Sequence, residues 1–463
     1  MDGLRPGGQA THYDQTGALH PRCIAILQAI FMQYNRGSTI RRLIPLMTTQ
    51  DFDPYALRAH FPALGRTINN HPAVFLDGPG GTQSPNLVIE AMADYLRRGS
   101  SNLGGPFQTS HEADFVIEEA RKSIRDLLNA RRPEEIVFGQ NMTSLTFAVS
   151  RAIAREWQPG DEIIVTNIDH DANISPWLRA ADDRGVTVRR LDFRPEDCTL
   201  ALETLPGLLN ARTRLGAVNY ASNAVGTIND VAKVTEMAHA AGALVYVDAV
   251  HYAPHDLIDV QSLDCDFLAC SVYKFFGPHT GVLYGKYELL DRLAAYKVRP
   301  ASDTPPGKWE TGTQSFESLS GVSAAVNYLA SLGGAGGTRR EQLTRAMKAI
   351  KEYESTLSEQ FLRQAAEFPG LRVYGITDIE EIDRRTPTFA VSLDGHTPKT
   401  VAAFLGERGI FVWHGHYYAV AVMERLGVLN SGGLVRVGFA HYNTMEEIDA
   451  LFSTLGELSP AHV

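Results

Sequence analysis

The sequence is poor in cysteine. Its 463 residues include four cysteines, Cys23, Cys198, Cys265 and Cys270. No two of them stand at Cys-x-x-Cys spacing, and none belongs to a Cys/His cluster spaced for zinc. This pattern excludes a disulfide-stapled or zinc-folded domain. It predicts a reducing, cytoplasmic compartment without structural disulfides.

Long apolar runs and an excess of positive charge are also missing. The longest apolar run, CIAILQAIFM at 23–32, is shorter than the roughly 20 residues that a membrane-spanning helix needs. The 53 acidic residues outnumber the 43 Lys and Arg, which gives a formal net charge of −10. We therefore expect neither a membrane segment nor a nucleic-acid-binding surface. The 44% hydrophobic content is typical of a globular protein.

From about residue 83 to 300, short β-rich runs alternate with amphipathic helical ones. The strands are nearly continuous in apolar residues, which favours a largely parallel sheet covered by helices on both faces. The fold class is therefore α/β. The predicted strands are 134–139, 161–168, 186–193, 213–221, 243–250 and 265–273, and the clearest helices are 143–156 and 230–242.

The chain is long enough for two domains. A polar, proline-rich connection at 299–308 precedes a long helix over 338–367, further strands and a last helix from Thr444. This second part predicts a smaller α/β domain with an antiparallel sheet. The predicted division is a dispensable N-terminal extension (1–46), a segment packing with the small domain (47–82), a large domain (83–305), and a connection with the small C-terminal domain (306–463).

The stretch ACSVYKFFGPHTGVLYGK, 269–286, places Lys274 at the end of an apolar run. Burial disfavours the charged form of a lysine and can make its amine a nucleophile towards carbonyls. The alternative is a lysine whose ammonium reaches water. Asp248 closes another apolar run 26 residues earlier. Such an acid caps a turn, or pairs with the pyridinium nitrogen of a pyridoxal phosphate that the lysine holds as a Schiff base.

Other polar groups also follow strand ends, where open α/β sheets bind ligands. A helix whose first turn carries Met142 and Thr143 offers unpaired backbone N–H groups to a phosphate. Ser271 can add a hydroxyl. His170 is either a turn residue or an imidazole that stacks on a flat ring.

From about residue 73 to 455 the chain resembles the class V aminotransferase family, and within it the cysteine desulfurase-like group. The resemblance implies a fold-type-I enzyme that uses pyridoxal phosphate, acts on an amino acid and is a homodimer. It also implies that the large domain binds the cofactor. The segments that carry it, in order, are VFLDGPGGTQSP, FGQNMTS, DHDANISPW, YASNAVGT, VDAVHYAPHDLIDVQSLDCDFLACSVYKFFGP, ETGTQ and LVRVGFAHYNTMEE.

The resemblance implies Lys274 as the Schiff-base lysine, Asp248 as the partner of the ring nitrogen and His170 as the group stacked on the ring. These three form the predicted catalytic set. Asn223 is implied to bond the phenolic oxygen of the cofactor. His251 stands where desulfurases usually have glutamine, and either bonds the same oxygen or moves protons.

The resemblance further implies that Met142, Thr143 and Ser271 hold the cofactor phosphate. Thr313 of ETGTQ is implied to reach the phosphate of the neighbouring subunit. Arg436 is implied to clamp the substrate carboxylate, for which its planar fork is suited.

One loop departs from the family pattern. Sulfur-mobilising desulfurases carry their nucleophilic thiol in a Gly-His-His-Cys-Ala loop, and this chain has GHYYA at 415–419 with Tyr418 in the cysteine position. A tyrosine hydroxyl cannot accept sulfur to form a persulfide. His416 and Tyr418 are predicted to contact the substrate, with packing of the small domain as the alternative for the tyrosine.

The predicted reaction is therefore cleavage of the Cβ–S bond of an amino acid by elimination, without a protein persulfide. Two segments, SVYKFFGPHTGVLY and GLVRVGFAHYNTMEE, also resemble an ustiloxin-pathway enzyme of fungi that decarboxylates aspartate and joins the carbanion to an aldehyde. Transamination is a third reading. A fold that has lapsed into a binding protein is a fourth, against which the complete set of Lys274, Asp248, His170 and Arg436 argues.

Overall fold

The computed structural model describes residues 52–458. The predictions on residues 1–46 and on Cys23 lie outside this range. No helix within 52–458 is long and apolar enough to cross a membrane.

The strands, in chain order, are β1 (Thr67–Ile68), β2 (His71–Pro72), β3 (Val74–Phe75), β4 (Ile136–Gly139), β5 (Glu162–Thr166), β6 (Thr187–Leu191), β7 (Thr213–Asn219), β8 (Leu244–Asp248), β9 (Phe267–Ser271), β10 (Gly281–Gly285), β11 (Leu371–Tyr374), β12 (Thr388–Leu393), β13 (Ile410–Phe411), β14 (Trp413–Gly415) and β15 (Leu434–Gly438). The α-helices are α1 (Pro54–Arg58), α2 (Asn86–Arg98), α3 (Gln108–Leu128), α4 (Met142–Ala154), α5 (Ser175–Arg184), α6 (Leu205–Leu208), α7 (Val231–Ala240), α8 (Val260–Leu263), α9 (Tyr287–Arg292), α10 (Phe316–Leu332), α11 (Arg339–Glu367), α12 (Pro398–Glu407), α13 (Val420–Arg425) and α14 (Met445–Leu458).

A seven-stranded sheet forms the centre of the large unit, with the order β4-β10-β9-β8-β7-β5-β6. The strands from β9 to β6 run parallel, and β10 is antiparallel to both of its neighbours. This mixed, mostly parallel sheet confirms the predicted fold class.

The apolar strands separate two hydrophobic cores. In β9, Phe267 and Ala269 face one core while Leu268 and Cys270 face the other, because successive side chains of a strand point to opposite sides. Helices α4 and α5 cover the first core, and α3, α7 and α10 cover the second. Burial on both faces explains the near-continuous apolar sequence of these strands.

The second sheet has the order β11-β12-β15-β14 and is antiparallel throughout. Helix α11 approaches it from the large unit; its first turn is closed by a capping box between Thr338 and Glu341. The segment before the large sheet also contacts this second unit. Strand β3 pairs in parallel with β13, and Arg58 forms a 2.8 Å ion pair with Glu447.

Candidate active site

A cavity of about 1020 Å³ lies where the carboxyl ends of the parallel strands face the second sheet. The loops that follow β5, β7, β8 and β9 contribute to its wall, together with the start of α4 and the strands β14 and β15. Nearly all of the predicted site residues line it: Met142, Thr143, His170, Asn223, Asp248, His251, Ser271, Lys274, His416, Tyr418 and Arg436.

Lys274 ends a short 3-10 turn directly after β9. Its Nζ donates a hydrogen bond to the carbonyl oxygen of Pro79. Burial and the positive charge of Arg436 lower the pKa of this amine to about 7, against the opposing effect of Asp248. The usual pKa of a lysine side chain is about 10.4. A substantial share of this side chain is therefore a neutral amine at neutral pH.

Asp248 ends β8 and is buried. Its Oδ1 accepts a 2.9 Å hydrogen bond from the backbone N–H of Val250. Its Oδ2 has no hydrogen-bond partner among the described residues. Burial raises the pKa of this carboxyl to about 6, opposed by the backbone hydrogen bond and by Lys274. A cationic N–H group placed against Oδ2 would lower this pKa and further favour the ionised carboxylate.

The start of α4 forms another part of the cavity wall, and two N–H groups of its first turn are bonded within the protein. The Asn141 side chain caps the helix by accepting from the Ser144 N–H at 2.9 Å. The Met142 N–H donates to Ser271 Oγ at 3.3 Å, which joins the helix to the end of β9. Gly281 permits this close packing, because a Cβ there would lie 2.4 Å from the carbonyl carbon of Asn141.

His170 presents a neutral ring to the cavity. Its Nδ1 accepts a 3.0 Å hydrogen bond from the Ala172 N–H. Burial, with the charges of Lys274 and Arg436, lowers its pKa to about 4. The turn is anchored by Asp169, which is fully buried and accepts hydrogen bonds from Thr166, Asn173 and the Asn219 N–H. The imidazole is therefore suited to stacking.

The loop at 415–419 holds two tyrosines in strained backbone. Tyr417 has φ +52° and Tyr418 has φ +59°, a conformation that costs about 1–3 kcal/mol for such residues. Asn223 Nδ2 donates to the Tyr417 carbonyl at 2.9 Å, and the Asp171 N–H donates to the Tyr418 carbonyl at 2.7 Å. These bonds keep the Tyr418 ring stacked on His170, with centroids 5.4 Å apart and an interplanar angle of 23°.

Arg436 lies on β15, buried, with its guanidinium 4.5 Å from the centroid of the Tyr417 ring. Its Nη1 donates to the Asn223 carbonyl at 2.9 Å. Its Nε and the Asn223 Oδ1 are buried atoms that find no hydrogen-bond partner among residues 52–458. Since buried polar groups are nearly always bonded, these two atoms indicate a ligand that carries matching polar groups.

His251 is buried, and its Nε2 lies 3.1 Å from Thr386 Oγ1. The Thr386 hydroxyl donates to the Gly226 carbonyl at 3.1 Å, so it uses its single proton there and accepts from the Nε2–H of His251. Burial and the nearby His255 hold the pKa of His251 well below its usual value. The neutral ring therefore leaves Nδ1 as a hydrogen-bond acceptor.

Thr313, in contrast, does not line the cavity and is exposed. Several cavity residues carried no sequence prediction, among them Pro79, Gly80 and Trp413. Pro79 bonds Lys274, Gly80 follows it, and Trp413 stands on β14. Asp77 also lies close enough for its pKa to respond to Arg436 and Lys274, although burial raises it to about 6. Asp77 ends a short apolar run in VFLDGPGG, just before a glycine-rich turn. This position of an acid is the sequence feature that could have identified it as a site residue.

None of the described cysteines lines the cavity. Cys198, Cys265 and Cys270 are fully buried and unpaired. Burial raises the pKa of each thiol, which reaches about 12 for Cys198. Such thiols are unreactive because the nucleophile is the thiolate.

Comparison with known proteins gives a consistent family. The profile described as aminotransferase class V matches residues 74–451. A cysteine desulfurase of Serratia proteamaculans (strain 568) is 33% identical over 414 residues, covering 86% of this chain and 96% of the relative. One of Dickeya dadantii (strain 3937) is 35% identical over 414 residues, with 86% and 95% covered.

Solved structures of cysteine desulfurases are similar to this fold. A cysteine desulfurase of Escherichia coli in an S-sulfonic acid form superposes with a TM-score of 0.76 at 29% identity, covering 88% of this chain and 98% of that one. The apo cysteine desulfurase of Thermococcus onnurineus NA1 gives a TM-score of 0.79 at 26% identity, with 89% and 99% covered.

The residues of the cavity fit pyridoxal phosphate. An amine of lowered pKa, a buried carboxylate with a free oxygen, a neutral imidazole and a helix N-terminus match its aldehyde, ring nitrogen, ring face and phosphate. Within the described part of the chain, Asn223 Oδ1 remains free to accept a hydrogen bond from a bound ligand, and Arg436 Nε remains free to donate one. The chain belongs to the class V aminotransferase family of pyridoxal-phosphate-dependent enzymes.

Proposed function

We propose that the protein is a lyase that cleaves the Cβ–S bond of a sulfur-bearing amino acid by elimination, without a protein persulfide. The observation that carries this proposal is the composition of the cavity wall. It includes the amine of Lys274, the guanidinium of Arg436 and Tyr418, and the resemblance noted in the sequence implies that Tyr418 replaces the thiol of sulfur-mobilising desulfurases. No described cysteine lines it. Elimination needs a base and a substrate clamp but no nucleophilic thiol.

Lys274 is the proposed base. Bound pyridoxal phosphate supplies an electron sink that makes the Cα–H of an amino acid acidic. The neutral amine of Lys274 accepts that proton. The electron pair from the broken Cα–H bond forms the Cα–Cβ double bond, and the sulfur leaves with the electrons of the Cβ–S bond as a thiolate. The released enamine is hydrolysed to pyruvate and ammonia.

The other groups hold reactants in position. Arg436 binds the substrate carboxylate through its fork, and Asp248 holds the ring nitrogen as an ion pair. His251 presents Nδ1 as an acceptor, which supports a contact with an O–H or N–H donor rather than with an anionic oxygen. Met142, Thr143 and Ser271 hold the phosphate.

The test is product analysis with purified holoenzyme. L-cysteine should give pyruvate, ammonia and sulfide in equal amounts, and S-substituted cysteines should give pyruvate, ammonia and the free thiol in equal amounts. Replacing Cys23 by serine should leave the rates unchanged, since the proposed reaction uses no protein thiol. Alanine with a protein-bound persulfide would instead indicate desulfurase chemistry and would overturn the proposal.

Three further outcomes correspond to the other functions considered. Carbon dioxide from aspartate together with a γ-hydroxy amino acid from an added aldehyde would establish the decarboxylative C–C reaction. A 2-oxo acid formed with stoichiometric amino transfer, and without thiol release, would establish a transaminase. No spectral response of the bound cofactor to any amino acid would indicate a binding protein.

Cofactor uptake by the cofactor-free protein should depend on pH through Lys274. Only the neutral amine attacks an aldehyde, so the uptake rate should rise with pH and level off above about 7, the pKa of this amine. An ordinary lysine would continue to gain rate up to about pH 10. Stopped-flow absorbance measures the rate, with butylamine as the reference for titration of the cofactor itself. Replacing Arg436 by methionine should move the midpoint upward, because its charge lowers the Lys274 pKa.

We also propose a homodimer in which each active site is completed by its partner. Thr313 is exposed and does not line the cavity of its own chain, which supports a role towards a neighbouring subunit. Its hydroxyl and the N–H of Gly312 suit phosphate oxygens. A mixed-dimer experiment in the Discussion tests this assembly.

The proposed location is the cytoplasm. The free thiols of Cys198, Cys265 and Cys270 support a reducing compartment. Fractionation of the host cells checks it, and recovery of the protein outside the cytoplasm would contradict it.

A further inference from the structure

Three aromatic side chains stand at the mouth of the cavity. Trp413 is 52% exposed, Tyr418 is 66% exposed and Phe147 is 37% exposed. The polar groups Lys274 and Arg436 line the same cavity. One chamber therefore combines a charged region with large apolar surfaces that the described residues leave uncovered.

Trp413 has a defined place beside the substrate clamp. It is paired directly with Arg436 across β14 and β15. Side chains opposite each other in an antiparallel pair share one face of the sheet, with Cβ atoms about 4.5–5.5 Å apart. The indole packs closely over Gly80, where a Cβ would lie 2.4 Å from its Nε1. A ligand carboxylate on Arg436 therefore has the indole as its neighbour.

Tyr418 is fixed just as firmly. The backbone of Tyr418 is in the left-handed region, with φ +59°, a conformation that an aromatic residue rarely adopts. The hydrogen bond from the Asp171 N–H and the stack on His170 determine where the ring lies. Strained residues that the surrounding structure holds in place concentrate at ligand sites.

We propose that Trp413, Tyr418 and Phe147 form a subsite for a bulky apolar group on the substrate sulfur. The preferred substrates are then cysteine S-conjugates with aryl or aralkyl substituents, rather than cysteine itself. This assignment rests on the proposed C–S lyase function. In the reaction the Cβ–S bond breaks, the aryl or aralkyl thiolate leaves with both electrons, and Lys274 holds the Cα proton.

The subsite is tested first by binding, with ligands that cannot undergo C–S cleavage. Homophenylalanine is the carbon isostere of S-phenylcysteine, and 2-aminobutyrate is the isostere of cysteine. Calorimetric titration of the holoenzyme should show homophenylalanine bound about 10- to 100-fold more tightly, the range expected for burying an aromatic ring. Equal affinity for the two ligands would overturn the subsite.

Variants locate the effect. Trp413→Ala and Tyr418→Ala should each reduce the ratio of the affinity for homophenylalanine to that for 2-aminobutyrate, since each removes one apolar wall of the subsite. Tyr296→Ala is the matched control, because this tyrosine is 54% exposed and lies outside the cavity. A preference that survives both cavity substitutions would also refute the assignment. Two separate variants keep the test valid where one fails to fold.

Cleavage assays separate this inference from the function on which it rests. A lyase with the subsite cleaves S-benzylcysteine with a higher kcat/KM than S-methylcysteine. Trp413→Ala should reduce the ratio of these two kcat/KM values. Selective binding of homophenylalanine without any C–S cleavage would retain the subsite and reject the lyase. Cleavage of all conjugates at equal kcat/KM would retain the lyase and reject the subsite.

Discussion

Replacing Lys274 by alanine should abolish covalent retention of pyridoxal phosphate and reduce turnover by about 10⁴-fold or more, the upper end of what a positioned acid–base group contributes. The physical reason is that this amine combines two properties. Burial and Arg436 lower its pKa to about 7, and it lies in the cavity, where it donates a hydrogen bond to a backbone carbonyl. Borohydride reduction followed by peptide mass spectrometry measures the covalent link.

Two variants make this result specific. Lys348→Ala removes a lysine from the surface of α11, where its amine lies 3.8 Å from Glu352, and should leave both measurements unchanged. Lys274→Arg keeps a cation at the site and should still lose the covalent link, because a guanidinium is not a nucleophile. A reducible link that persists in Lys274→Ala would show that another amine carries the cofactor.

Mixed dimers extend the same experiment to the assembly. Chains carrying Lys274→Ala combined with chains carrying Thr313→Trp should yield one sound site in each mixed dimer, since that site takes its lysine from one chain and its threonine from the other. Recovered turnover in the mixture supports the shared site. A monomer in sedimentation that retains cofactor and turns over would contradict it.

The large sheet was predictable because its signals are local. Strands buried on both faces are continuous in apolar residues, as in 267–271, and their ends are marked by polar residues such as Asp248 and Lys274. The predicted strands exceed the observed ones by a few residues. The strand over 265–273 ends at Ser271 because the chain turns into a 3-10 helix before Lys274.

Features set by distant parts of the chain could not be predicted in this way. Strand β10 lies between β4 and β9, and no local pattern announces an antiparallel strand inside a mostly parallel sheet. Trp413 could not be assigned to the site from the sequence, because its place there depends on the strand register that sets it opposite Arg436. The proton arrangement of His251 depends on Thr386, which lies 135 residues later in the chain.

Replacing Arg436 should have the second largest effect, expressed as a rise in KM. Arg436→Met should raise KM for the amino acid by about 30- to 1,000-fold, since losing one partner of a buried charge pair costs about 2–4 kcal/mol. Arg436→Lys should recover only part of this, because an ammonium cannot form two parallel hydrogen bonds with a carboxylate. The unpartnered Nε of Arg436 is the group that a carboxylate would satisfy.

The control for Arg436 is a second buried arginine. Arg385 also packs over an aromatic ring, with its guanidinium 3.9 Å from the centroid of Phe389, and its hydrogen bonds within the described part of the chain go to backbone carbonyls. Arg385→Lys should lower the melting temperature and leave KM within about twofold, because losing its hydrogen bonds to buried carbonyls affects the fold and not the ligand.

A cysteamine S-conjugate, which lacks the carboxylate, should bind the native protein and Arg436→Met with similar affinity. If Arg436→Met weakened the amine and the amino acid equally, the arginine would have a structural role and the carboxylate clamp would be rejected.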